Sequence, residues 1–388
     1  AASMEVPAGG PVQRLDLYNY NGTPVVYAWG DTVRRIVPTL GSAWHTLFPA
    51  MPGNEGTRVQ VFAQETVQPI TALRKATPTG YFTDYGALDL DSAVLIVAHQ
   101  ALMNGGMAYR NYRQSEAPPP HRYSTLLVDV DELYDQYGAG LPKNAGGIRL
   151  FSKPLFDPWT AKPRGLFLIG KGVNTWSAFA SNLPGIRPDA DGAYARTLVP
   201  SYGFPSSDQC FTTGLDFDSR RMDIPVGRLS ANTDADVLAY LAKVRATELA
   251  ASTPALWQKN VLHFAGGVSA DEIGTHANDL AGFGQIAADT AFGGHVVPFR
   301  KNTSEVIGQA SADSVRHFIE EEGVTLMTFL AHAYSSSFDI TIDEPQNYDW
   351  GGKHPMVIGN SCYIGNVHLN GNFSTSEEWV TMADAGPS

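Results

Sequence analysis

Two reactive side chains stand at the ends of two apolar runs: His332 closes VTLMTFLAH and Cys362 closes PMVIGNSC. A thiol with an ordinary pKa of about 8.5 is mostly protonated at neutral pH, and an imidazole beside it takes that proton and leaves a strong nucleophile. The chemistry such a pair does is attack on a carbonyl. Gly365 and the small residues near Cys362 would let a substrate carbonyl approach backbone N–H groups, as an oxyanion hole requires. Singly, each residue has a bland reading, since an isolated Cys is commonly an inert buried hydrophobe and a strand-end His a structural residue. It is their occurrence at two strand ends that favours chemistry.

Both runs read as buried strands. If they are parallel neighbours, their carboxyl ends share the sheet edge at which ligands collect in open α/β folds. The surrounding chain supplies such an order. Residues 1–92 alternate short β-type runs with turns, among them VQRLDLYNY, PVVYAWGD and TRVQVFAQET, and read as a β-rich segment. Its aromatic residues Tyr18, Tyr20, Tyr27 and Trp44 fit core or cross-strand pairs better than a binding surface.

From 93 to 230 strands alternate with helical stretches (VLIVAH, Leu102 to Arg113, STLLVDVDELYDQYG, GLFLIGKG), which is the order of a mostly parallel sheet. Thr233 with Asp236 starts a capped helix running to about Ala251, with Val237, Leu238, Leu241 and Val244 on one face. A second α/β subdomain, 231–388, follows with VLHFAGG, DEIGTHANDLAGFGQIAADTA, HVVPFR and a helix stopped by Gly323. Ser376 is expected to cap a last helix with Trp379, Val380 and Met382 inward.

The strand ending in His332, the loop bearing Trp350, and NSCYIG followed by STSEEWVTMADAG together resemble the gingipain-type cysteine peptidases, family C25, and within it the cell-surface sortases of the type IX secretion system. The resemblance implies an α/β, caspase and gingipain-like fold: two adjacent, mostly parallel sheets flanked by helices, behind a β-rich segment. It implies a cysteine endopeptidase, sortase-like in processing secreted proteins that carry a C-terminal sorting domain, with hydrolysis and transpeptidation both open. Cys362 would be the nucleophile, His332 the general acid and base, and the N–H groups of Cys362 and Ala333 the oxyanion site.

Family members have Gly where Ala333 stands, so a catalytically inactive homologue acting as a surface scaffold or a glycan- or protein-binding module is the alternative. They also place an acidic residue after the preceding strand to orient the His. Asp271 or Glu272 matches it, with Asp339, Asp343 and Glu344 as competitors. Where relatives have an acid in the turn after GLFLI, this chain reads GKG. The implied setting is extracellular or the bacterial outer-membrane surface, with protein substrates and other secretion-system components as partners. Further strands and modules follow in relatives, so 231–388 is expected to be C-terminally incomplete.

Composition sets the outer bounds. With 27 basic against 39 acidic residues the net charge is −12, which excludes the basic footprint of a nucleic-acid binder. Gly170 and Gly172 form no phosphate-binding motif, and no cofactor is expected. Asp216, Asp218 and Asp223 are carboxylates that suit calcium, although no EF-hand spacing is present. His263, Asp271, Glu272 and His276 lack the close spacing of a zinc site and read as strand and helix-cap residues. Two cysteines, Cys210 and Cys362, make no disulfide framework.

Overall fold

The computed structural model describes residues 2–6, 12–29, 33–49, 57–67, 79–157, 161–174, 190–203, 205–216, 220–302, 309–334, 337–340, 342–371 and 374–383. The chain divides between Lys75 and Ala76 into two units.

The first unit is built from short antiparallel strands: β1 (Ala2–Val6), β2 (Val12–Leu17), β3 (Pro24–Trp29), β4 (Val33–Ile36), β5 (Thr39–Leu40), β6 (Trp44–Pro49) and β7 (Thr57–Ala63). They form two sheets, ordered β1-β7-β3-β4 and β2-β6-β5. Residues alternate along β7, with Thr57, Val59 and Val61 inward, so one face meets a core of Leu15, Val26, Val59 and Val61. Tyr27 stacks on Phe62 across the β3–β7 pair with ring centroids 5.6 Å apart, and Tyr20 packs against the core. Tyr18 departs from the expected core placement: it follows the end of β2 and is 75% exposed.

The second unit holds two four-stranded parallel sheets. The first contains β8 (Val94–Ala98), β9 (Thr125–Asp129), β10 (Gly165–Ile169) and β11 (Val226–Leu229), in the order β11-β10-β8-β9. Its strands are short apolar runs, as a sheet covered on both faces requires. Helices Val130–Tyr137 and Ala145–Ser152 bury Leu133, Ile148 and Phe151 against one face. Helices Met103–Asn111 and Asp234–Ala251 contribute Tyr109, Val237 and Leu241 to the other core, joined by Leu102 from the turn just before the first of them. These two helices approach so closely that a Cβ on Gly105 would sit 2.6 Å from Val237. Asp234 fixes the crossing by accepting from Gly105 N–H at 2.8 Å and from Asn104 at 3.1 Å. Thr233 and Asp236 form the expected capping box.

The second sheet contains β12 (Asn260–Ala265), β13 (His295–Arg300), β14 (Leu326–Leu330) and, after a hairpin of β15 (Ala333–Tyr334) and β16 (Ser337–Phe338), β17 (Met356–Asn360). The order is β13-β12-β14-β17, all parallel. Pro298, which cannot donate a ladder hydrogen bond, sits on the edge strand β13. A row of phenylalanines locks the register. Phe299 stacks on Phe264 at 5.2 Å, Phe264 on Phe329 at 4.4 Å, and Phe329 on Phe338 of the hairpin at 4.1 Å. Each such pair contributes about 0.5–1.5 kcal/mol beyond burial, and a one-residue slip would lose all of them.

Two local expectations are corrected. PMVIGNSC is not a buried strand: β17 lies at the sheet edge, leaving Met356 68% and Ile358 46% exposed. The last helix, Thr375–Thr381, is capped by Ser374 rather than Ser376, because the carboxylate that completes the box, Glu377, is three residues after Ser374. Val380 is correspondingly exposed, whereas Trp379 packs on Trp350 at 5.6 Å.

Candidate active site

The site is assembled at the carboxyl ends of β12, β14 and β17. In the ladder Leu330 is the register partner of both Ala265 and Asn360. His332 and Cys362 therefore each lie two residues beyond a paired position on adjacent parallel strands, whose axes are about 4.8 Å apart. The Phe row supports this edge from beneath. Gly359 is the register partner of Phe329, and the ring of Phe338 lies over it, 3.2 Å from where a Cβ would be. A side chain there would push the hairpin that follows His332 away from the strand that leads to Cys362.

His332 is half-exposed, and its Nε2 lies 2.8 Å from Oε1 of Glu272. Glu272 is the third residue of helix Ala270–Ala288, whose cap, Ser269, accepts from Glu272 N–H. The second carboxylate oxygen, Oε2, accepts from Val268 N–H at 2.7 Å. That backbone hydrogen bond first, and His332 second, hold the Glu272 carboxyl below its ordinary value. A helix N-terminus also favours a negative charge. Nδ1 is thus the ring nitrogen of His332 not engaged by Glu272.

Asp271, one residue earlier, is exposed and makes no hydrogen bond to His332; its carbonyl accepts from the Thr275 hydroxyl. The competitors are used elsewhere. Asp343 pairs with Arg316, Glu344 accepts from Gln346, and Asp339 accepts from Gly267 N–H at 2.9 Å and from Lys301 at 3.1 Å. Asp339 does support the site through its backbone, donating to the carbonyl of His332 at 2.8 Å. That bond makes the next register pair, Ala333 with Phe338, one of the non-hydrogen-bonded kind, so the N–H of Ala333 is not used within the hairpin.

Cys362 is a free, exposed cysteine, and so is the partly buried Cys210 a free one. The turn at Cys362 is sharp. Tyr363 has a φ of +59°, and Ile364 N–H closes back on the Cys362 carbonyl at 2.8 Å. A non-glycine residue in the left-handed region costs of order 1–3 kcal/mol, and such strain concentrates at functional sites. No hydrogen bond joins Cys362 to His332 among the described residues. Beside the turn, a cavity of about 620 Å³ is lined by Tyr240, Trp350, Met356, Ile364 and Trp379; Gly359 and Gly365 bound it, while Cys362 and His332 do not.

Of the remaining candidates, His276 stands one turn beyond Glu272 with its Nδ1 2.9 Å from the Gly266 carbonyl. Asp223 accepts from Leu215 N–H at 2.6 Å and Asp216 N–H at 3.4 Å, the work of a turn-closing carboxylate, and Asp218 is outside the described residues. Among the described residues no three His, Cys, Asp or Glu side chains converge as a metal ion needs. His263 is a buried residue of β12, and burial lowers its pKa, favouring the neutral ring.

Residues 87–388 match the family model of peptidase family C25. The chain belongs to peptidase family C25. One solved structure, described as "Structure of Protease", is similar at 14% identity and a TM-score of 0.54, a likeness of fold; it is matched over 76% of this chain. The chain spans 57% of the length of that structure. No curated protein matches it. The family match and the structure agree on a mixed α/β fold of caspase-like type, with parallel sheets flanked by helices and a β-rich segment preceding them in sequence.

A buried pair not anticipated from the sequence completes the surroundings. Lys171, in the GKG turn after β10, is fully buried, and its Nζ lies 2.6 Å from Oε1 of the equally buried Glu377. No local signal in the sequence sets Lys171 apart from a strand-end lysine that reaches solvent. For Glu272 the sequence does hold a signal, because the Ser269-x-x-Glu272 spacing singles it out over Asp271 as a cap residue.

Proposed function

We propose that this C25 chain is a cysteine endopeptidase in which Cys362 is the nucleophile, His332 the proton carrier and Glu272 the group that orients His332. The observation that supports the reading is the register of β14 and β17, which pairs Leu330 with Asn360, two residues before His332 and Cys362. Nδ1 of His332 takes the thiol proton. The Cys362 sulfur then bonds to the scissile carbonyl carbon, and the oxyanion is held by the N–H groups of Cys362 and Ala333. His332 returns the proton to the leaving amine as the C–N bond breaks. Glu272 fixes the ring with Nε2 protonated and steadies its charged form, as the third member of a triad does.

The acyl-enzyme leaves by attack of water in hydrolysis or of an amine in transfer. A sortase-like role on secreted proteins with a C-terminal sorting domain, at the cell surface, is the setting we favour, on the strength of the NSCYIG and STSEEWVTMADAG motifs. The exposed Cys362 turn favours it over an inert scaffold.

The experiment is digestion of an unfolded protein and of a peptide library by the wild type and by Cys362→Ala, with and without a small primary amine as acceptor. Cleavage that disappears in Cys362→Ala supports the reading, and products capped with the amine mark transfer. Equal cleavage by both proteins, or none by either, counts against it.

A further inference from the structure

The segment that follows Cys362 packs Ile364 into the core of its own sheet, and beyond that residue it is fastened by hydrogen bonds to the carboxyl edge of the first sheet. Asn174 N–H donates to the His368 carbonyl at 2.9 Å, and the His368 ring nitrogen Nδ1 lies 2.9 Å from the Gly172 carbonyl and 3.0 Å from the Ser201 hydroxyl. Arg196 donates to Asn370 at 2.7 Å. The segment then enters helix Thr375–Thr381, whose Glu377 gathers four donors. Oε1 accepts from Lys171 at 2.6 Å and from Ser230 at 2.5 Å, while Oε2 accepts from the Ser374 N–H at 2.7 Å and its hydroxyl at 3.0 Å.

The platform beneath is stiff. Arg228 on β11 grips Asp208 with two hydrogen bonds of 2.7 Å and donates to the carbonyls of Gly170 at 2.6 Å and Val199 at 2.7 Å. A Cβ on Gly172 would meet the Val199 carbonyl at 2.6 Å, so the turn bearing Lys171 has no room to shift.

Burying an ion pair costs two desolvation penalties and is seldom a net gain in stability over apolar packing; its better-attested use is to fix one arrangement among several. Lys171 and Glu377 are 206 residues apart and join the carboxyl edge of the first sheet to the helix that ends the segment after Cys362. We propose that the Lys171–Glu377 pair is a positioning latch, holding the 361–371 segment so that Cys362 is presented to His332 in one geometry. This rests on the peptidase reading for its catalytic consequence, but the latch itself does not depend on activity. Neither residue touches the reacting atoms, so both act through the Cys362 turn.

The test uses the full chain and the variant Lys171→Met/Glu377→Gln, which removes both charges together and leaves the Glu377 position able to cap Ser374, so that no unpaired charge remains to unfold the protein. Two readouts are taken: hydrogen exchange of the amides at 361–371 against those of β8–β10, and kcat and KM on a peptide that the wild type cleaves. The latch predicts that protection falls at least tenfold in the segment while β8–β10 keep theirs, and that kcat falls at least tenfold with KM within threefold. Wild-type protection in the segment overturns it. So does a loss of protection spread evenly over both regions, which would mark the pair as a contributor to general stability. Should the wild type cleave nothing, the peptidase reading fails and the exchange pattern still decides the latch.

Discussion

The carboxylate of Glu272 meets the imidazole of His332 at 2.8 Å, across 60 residues of sequence, from the first turn of one helix to the end of the neighbouring strand. Two unrelated local requirements converge there. The helix needs an acceptor near its first N–H groups, and a strand-end imidazole needs a partner that fixes its tautomer. One carboxylate serves both, with Oε2 on Val268 and Oε1 on His332.

Glu272→Gln keeps the size and the cap but removes the charge. We expect turnover to fall about 10- to 100-fold, at the lower end of what a positioned acid–base system contributes, with little change in melting temperature because the pair is on the surface. Asp271→Asn, whose carboxylate is outside the site, should leave turnover within about twofold by the same reasoning. Equal losses in the two variants would contradict the assignment.

Gly266 follows β12, and a Cβ there would meet Asp339 Oδ1 at 2.1 Å and the Ala331 Cβ at 2.7 Å. Gly266→Ala is expected to cost about 1–3 kcal/mol, the usual penalty for overpacking. It should also displace Asp339 from Gly267 and from the backbone of His332. Chemical denaturation checks the first effect and the rate of Cys362 alkylation the second.

Tyr363→Asn should raise stability by about 0.5–1 kcal/mol, since asparagine occupies the left-handed region with less strain than tyrosine. Tyr363 is 68% exposed, so little packing is lost. A lower denaturation midpoint in this variant would show that the ring makes up for the strain.

The His368 pKa is lowered from its ordinary 6.5, chiefly by burial and secondarily by Arg228, against the raising effects of Gly172, Asp208 and Glu377. A depressed folded value means that below pH 6.5 the unfolded chain takes up a proton that the folded chain refuses. The corresponding stability is complete above that pH and is lost as the pH falls toward the folded value. His368→Asn can keep a hydrogen bond to Gly172 and should flatten the decline in melting temperature between about pH 7 and pH 5. His263, lowered in the same direction by burial, leaves part of the slope in place.

Much of the frame was legible. Apolar runs such as VLIVA, GLFLI and LMTFL are too short and too β-branched or aromatic for helices, and the boxes at Thr233 and the stop at Gly323 delimit the helices. Three things were not readable. Strand order decides exposure, so β17 could be recognised as a strand but not as the exposed edge. Helix phase decides which of two adjacent acids faces a neighbour, so the Ser269-x-x-Glu272 spacing marks Glu272 as the cap acid without showing that it meets His332. Pairing across the two sheets is invisible in one dimension, which is why Lys171 and Glu377 each look like surface charges and are both buried.

The central claim is that Cys362 is a nucleophile activated by His332. The direct measurement is the rate of iodoacetamide labelling at neutral pH, followed by intact mass, for the wild type, Cys362→Ala, Cys210→Ala and His332→Ala. The account predicts one fast label that is absent in Cys362→Ala, unchanged in Cys210→Ala and at least about tenfold slower in His332→Ala, because an unassisted thiol is mostly protonated at that pH. Labelling confined to Cys210, or a Cys362 rate indifferent to His332→Ala, would contradict it.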